Sequence, residues 1–274
     1  MVSRVTCLLL LALLAAQHVG GHVQRWGADL IVVVTWFQKD IAWLADHFPL
    51  NHTRFVLYSK GNQSCATHVP ATVAPYVAFC VQSHNAAGRE AHTIAHFAYH
   101  HSHQPPRVTF FVHDDSTAHV RNLAAHHLRN MSQFLENVEA GPMELPGNCL
   151  CDVKRERNWN STSYAYYNFQ AWMADALLGI DVVQKQWKTV IWPGNAFFAL
   201  PASGMAKRPR VVYRVLLELL NGTVAPRDGK RFTEQGAKLA WNSEGNPKNS
   251  HTSLGLAHAM ERSWFMVFDT AYKP

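Results

Sequence analysis

The chain reads as an α/β fold, a mostly parallel sheet flanked by helices in a single domain, and two observations carry that expectation. Residues 28–37, "ADLIVVVTWF", form an unbroken apolar run rich in β-branched side chains, the pattern of a strand buried on both faces. Further runs of that kind then alternate with segments of helical spacing over about the first hundred residues. With 274 residues, 48% of them hydrophobic, the chain is long enough to bury a large core.

The elements follow in order. After the first strand, "QKDIAWLADHF" places Ile41, Leu44 and Ala45 on one helical face. "RFVLYSKGN" is a second strand closed by the Gly61-Asn62 turn, and "YVAFCVQS" a third. "GREAHTIAHFAYHH", Gly88 to His101, has helical composition and stops before Pro105-Pro106. "RVTFFVHDD" is the fourth strand. "STAHVRNLAAHHLRNMSQFLENV" then reads as one long helix capped by Ser116 or Thr117. Gly141 to Thr162 is expected to be an exposed excursion pinned by disulfides. Two short strands are expected around Pro193-Gly194, an amphipathic helix over Val211 to Leu220, and a last helix over Leu254 to Phe268.

The start, "MVSRVTCLLLLALLAAQHVGG", has Arg4 ahead of an apolar stretch and then small residues, which is the layout of a signal peptide ending near residue 21. The stretch is shorter than the roughly 20 apolar residues a span needs. A stable membrane anchor is therefore expected only if the segment stays uncleaved. The expected address is secreted, or the lumen of the endoplasmic reticulum or Golgi, with residues 22–274 as the mature domain. Glycosylation sequons at Asn51, Asn62, Asn130, Asn160 and Asn221 fit that address.

Removing Cys7 with the leader leaves Cys65, Cys80, Cys149 and Cys151, an even set suited to two disulfides in an oxidising compartment. The one-residue gap in "CLC" disfavours a Cys149–Cys151 bond, so Cys65 and Cys80 are each expected to pair with the later two. The net charge of +6 is dispersed apart from "KRER" and "KRPR", and neither cluster belongs to a nucleic-acid module. No nucleic-acid partner is expected. Of 17 histidines, several, such as His100, His101, His126 and His127, are expected on exposed helix faces.

Chemistry concentrates where the fourth strand ends. Ligands of open α/β sheets sit beyond the carboxyl ends of the strands, and Asp114 and Asp115 follow that strand directly. Two carboxylates there can hold Mg²⁺ or Mn²⁺, with His113 and His119 completing a softer set. The alternative is that Asp114 or Asp115 caps the following helix. Upstream, Gly88 permits close backbone approach at a helix start, and Arg89 can clasp a phosphate. Arg89 can equally form an ion pair with Glu90 or an Asp. Glu261, in an apolar helix, is either a catalytic base or half of a structural pair with an arginine. Asp40 either meets a nucleotide base or serves as a charge at a helix start. Trp36, Trp192 and Trp264 either stack on rings of a ligand or belong to the core.

An Asn85-x-x-Gly88-Arg89 turn, a helix of about four turns and a strand ending in acidic residues together resemble the first half of a GT-A glycosyltransferase. In that family an Asp-x-Asp motif holds Mn²⁺ on a sugar diphosphate. Here His113-Asp114-Asp115 stands in its place, a departure from the regular Asp-x-Asp spacing. Most of the mature chain more closely resembles the family called domain of unknown function 3431. The resemblance is carried by "VVVTWFQKDIAWL", "YSKGN", "GREAHTIAHF", "FFVHDDSTAH", "NAFFALPASGMAKRPRVVYRVLLELL" and "AHAMERSWFMVF" in that order.

These resemblances imply a GT-A-like (Rossmann-like) fold and a secretory-pathway enzyme that moves a sugar from a nucleotide sugar to a glycan or other hydroxyl acceptor. On that reading Asp115 and Asp114 hold Mn²⁺ or Mg²⁺, and His113 or His119 assists. Asn85, Gly88, Arg89 and Asp40 meet the donor, and Glu261 is the base. The alternatives from other classes are a secreted carbohydrate-binding protein without catalysis and a metal-dependent hydrolase using His113, Asp115 and His119.

Overall fold

The structure is a computed structural model that describes residues 26–37, 39–61, 63–83, 89–114, 128–141, 149–152, 173, 177–179, 189–192, 197–221, 260 and 264–268. Its centre is a five-stranded sheet with strands β1 (Leu30–Trp36), β2 (Thr53–Ser59), β3 (Val77–Gln82), β4 (Val108–His113) and β7 (Phe198–Pro201) in the order β3-β2-β1-β4-β7. The first four run parallel, with Val33 level with Val56 on one side and with Phe111 on the other. β7 pairs antiparallel to β4. The α/β fold read from the sequence is the observed one, and it is consistent with a Rossmann-like arrangement.

The residues explain the order. All seven side chains of β1 are buried, as a central strand covered on both faces requires. β3 has no fully buried side chain, only half-buried and exposed ones, as suits the edge. The chain builds β1, β2 and β3 outward, then returns through α2 (Arg89–His101) to lay β4 on the other side of β1. The direction of strand addition therefore reverses between β1 and β4, and a doubly wound sheet opens its ligand crevice at the carboxyl ends of such a pair.

Alternation along the strands splits the core in two. One face of the sheet, with Val32, Leu57 and Phe110, packs against α1 (Trp43–His47) and α3 (Met131–Ala140). The other, with Val33, Val56 and Phe111, packs against α2, α5 (Arg210–Leu220) and α6 (Trp264–Phe268). Between β7 and α5 lies a single turn, α4 (Ala202–Met205). α2 buries Ala91, Ile94, Ala95, Phe97 and Ala98, leaves only His100 exposed, and ends before Pro105-Pro106. Asn221 lies at the α2 start, against His92, while Arg210 donates from Nε to the Tyr99 carbonyl at 2.8 Å, so α2 and α5 run antiparallel.

Three expectations are corrected. The long helix after β4 is not one piece: Asn130 takes extended backbone and its side chain accepts from the Gln133 amide at 3.2 Å, starting α3 afresh. The Ser116 and Thr117 caps lie outside the described residues. The disulfide pairing differs too. Cys65 bonds Cys80, closing a connection of 15 residues between β2 and β3. Cys149 and Cys151 sit instead on β5 (Cys149–Asp152), which pairs antiparallel with β6 (Thr189–Trp192) in a separate two-stranded sheet. The excursion expected over Gly141 to Thr162 thus includes a paired strand. A bridge between near neighbours was available because β3 returns beside β2, placing Cys80 level with Leu57. Finally, His101 is not on an open face; its ring lies edge-on to Trp26 at 4.9 Å and against Phe97 at 4.6 Å.

The leader segment lies outside the described residues, and no helix among the described residues is long and apolar enough to cross a membrane.

Candidate functional site at the carboxyl ends of the parallel strands

Asp114 stands at the end of β4 and is 5% exposed. Its backbone amide donates to the Thr35 carbonyl, prolonging the β1–β4 pairing by one step. Its Oδ2 accepts from the Phe37 amide at 2.8 Å and from the Lys39 amide at 2.9 Å. A buried carboxylate that accepts two backbone donors fixes the chain that supplies them. Asp114 therefore holds the loop leaving β1, across the point where strand order reverses. Neither sequence alternative anticipated this bond, because the partner lies 77 residues earlier.

Arg89 opens α2 with φ 44, a left-handed backbone that costs a side-chain-bearing residue about 1–2 kcal/mol. Its guanidinium carbon sits 6.0 Å from the Phe37 ring centroid, and Nε lies 3.4 Å from the Glu90 carboxylate. The ion pair offered by the sequence as one role for Arg89 is thus present, while its side chain stays 42% exposed. Phe37 is the shared neighbour: Asp114 fixes its amide and Arg89 lies over its ring. The basic turn and the acidic strand end lie at the same end of the sheet.

The expected ligand set meets this geometry unevenly. His113 is half-buried at the strand end, a placement that fits a ligand. Asp114 commits Oδ2 to two backbone amides. No group of three His, Cys, Asp or Glu among the described residues could hold a metal ion. Asp115, His119, Asn85, Gly88, Glu261 and Trp192's side chain lie outside the described residues. Asp40 is exposed, and its Oδ1 accepts from the Ala42 amide at 2.9 Å, the reading of a charge that ties the turn before α1. Trp36 and Trp264 are 2% and 1% exposed, so both belong to the core and neither can stack on a ligand ring.

Beside this end of the sheet lies a polar group that sequence reasoning missed. Lys60 follows β2, is 3% exposed, and places Nζ 2.9 Å from His92 Nδ1. Burial pushes its ammonium down to about 7, with Glu90 pulling the other way. His92 is itself pushed down to about 3, first by burial, then by Lys60 and His96, against a hydrogen bond to the Asn221 side chain. One turn on, His96 receives Tyr58 Oη at 3.0 Å from Nδ1, and burial is the first cause holding it down at about 4. Burial pushes the Tyr58 phenol up. His100 completes the line, its ring 4.4 Å from that of His96, and it too is lowered, by burial and then by Arg210. A histidine every fourth residue in "HTIAHFAYH" was the signal that could have revealed this stripe.

No family model matches the chain, and no curated protein or solved structure does either.

Proposed function

We propose that the protein is a glycosyltransferase-like enzyme that takes a nucleotide sugar at the carboxyl ends of β1 and β4 and transfers the sugar to a hydroxyl acceptor. One observation carries the reading: Arg89 and the Asp114-fixed loop meet at Phe37, at the strand reversal where doubly wound sheets bind ligands. Arg89 keeps an exposed guanidinium there, suited to two oxygens of a diphosphate. Asp114 contributes by holding the Phe37–Lys39 backbone still, so that the loop does not reorganise when charge arrives. Asp115, with His113 and His119, would hold a Mn²⁺ or Mg²⁺ ion, which supplies positive charge to the departing phosphate. Asn85 and Gly88 belong to the donor-binding turn, Asp40 to its base end, and Glu261 is the proposed base. The same reading places the protein in the secretory pathway, with Asn51 a sequon on an exposed turn.

Thermal-shift titration with nucleoside diphosphate sugars, with and without Mn²⁺, tests this. A ligand at 100 times its Kd stabilises the fold by about 2.7 kcal/mol, and Arg89→Ala should weaken that binding about tenfold or more. If no nucleotide raises the melting temperature in either condition, and Asp115→Asn changes nothing, the reading is lost.

A second reading has its own support. The commitment of Asp114 Oδ2 to two backbone amides gives this carboxylate a role in holding the loop that needs no cation, which favours a carbohydrate-binding protein without catalysis. Turnover in a donor-hydrolysis assay excludes it.

A further inference from the structure

We propose that the imidazole line of α2, buried at His92, half-buried at His96 and reaching the surface at His100, is an acid-released latch: neutral histidines hold α2 between β2 and α5, and their protonation frees the helix whose first residue is Arg89. The geometry supplies the argument. His92, His96 and His100 succeed one another along one side of the helix, with ring centroids 5.9 and 4.4 Å apart. Adding charge to one ring places a like charge beside the next.

The surroundings allow little relief. From β2, Lys60 meets His92 and Tyr58 meets His96. A lysine ammonium has only donors to offer, so a charged Lys60 requires His92 Nδ1 to stay without its proton. From α5, Asn221 bonds His92, and Arg210 adds a positive charge near His100 while lying 4.2 Å from the Tyr99 ring centroid. The remaining charged residues of α5, Arg214 and Glu218, face each other at 3.7 Å. Among the described residues Glu90, which acts on Lys60, is the one carboxylate of α2. The stripe is thus arranged around uncharged rings, with cations at both ends.

The direction of the response follows. His92 and His96 are held below the ordinary value near 6.5, so the unfolded or detached state binds protons first. Their contribution is complete above about pH 6.5 and is lost as the pH falls toward 4. Between pH 7 and pH 5 each ring should favour release by roughly twentyfold. That Arg89 lets go of an anionic ligand as α2 detaches rests on the function proposed above.

Hydrogen exchange of the full-length protein at pH 7 and pH 5, corrected for intrinsic rates, tests the latch. Protection of residues 89–101 relative to β1 should fall at least tenfold in acid, and a His92→Gln, His96→Gln double variant should lose that difference. Equal relative protection at both pH values, or an unchanged acid response in the variant, overturns the proposal. If the variant does not fold, imidazole titration of the unaltered protein by NMR decides: both rings should titrate below pH 5, and either titrating at 6.5 sinks it. Affinity for a nucleoside diphosphate measured at the same two pH values separates the readings. Absence of binding at both removes the function proposed above, while the exchange result still judges the latch.

Discussion

The two faces of the sheet are built from the same strands and carry different chemistry. The face under α1 and α3 is apolar at its centre: Val32, Leu57 and Phe110 are fully buried among Phe48, Phe134 and Phe197. The face under α2 and α5 is as closely packed but includes Lys60, His92, His96 and Tyr58. One residue's shift along β2 separates them, since Leu57 and Ser59 point one way, and Tyr58 and Lys60 the other. A dry apolar face supplies stability that does not depend on pH. The polar face costs stability when charged, and so couples packing to protons.

The sharpest test of the dry face is Phe110→Ala. It deletes a ring packed 4.8 Å from Phe197 and 5.9 Å from Phe48, and should cost about 3–5 kcal/mol in denaturant unfolding, equally at pH 5 and pH 8. A drop that varies with pH would erase the contrast between the faces. Next is Lys60→Met on the polar face. The folded ammonium sits near 7 and the unfolded one near 10.4, so the unfolded chain holds the extra proton between them. Stability should therefore climb by about 4 kcal/mol from pH 7 to pH 10 in the unaltered protein, and the variant should flatten that slope. Asp114→Ala, which strands two backbone amides where the faces meet, should cost about 2–3 kcal/mol and raise exchange at Phe37 and Lys39 above all. Smallest is Arg107→Ala. Arg107 holds both carboxylate oxygens of Glu139, at 2.8 and 3.1 Å, and also reaches Asp29. It is a part-exposed pair, so the loss should be about 1 kcal/mol and shrink in high salt.

What the sequence disclosed divides along the same line. β1, β2 and β4 were legible because a strand buried on both faces must be apolar throughout, and α2 and α5 because their apolar residues recur at helical spacing. The break at Asn130 was missed because "RNMSQF" keeps a helical pattern across a residue whose side chain caps the next helix. Cys65–Cys80 was missed because elimination by spacing knows nothing of which strands lie side by side. At the site, Arg89 and Asp114 both lie near Phe37 at the strand ends. Their partners, the Glu90 carboxylate and the Phe37 and Lys39 amides, differ in kind. The first is adjacent in sequence and could be named; the others are brought together only by the β1–β4 register. Lys60 was passed over because an isolated lysine after a strand is ordinarily solvated. Only the approach of α2 shows that it is enclosed.

The bridge from Cys65 to Cys80 ties the β2–β3 connection to an edge strand of the sheet. An open strand margin is a surface on which another chain can extend the sheet, and a tethered loop beside it obstructs that growth. Severing the bond should therefore do more than remove the roughly 3 kcal/mol that closing such a loop contributes. It should promote self-association, seen as light scattering that rises with protein concentration more steeply once reductant is present.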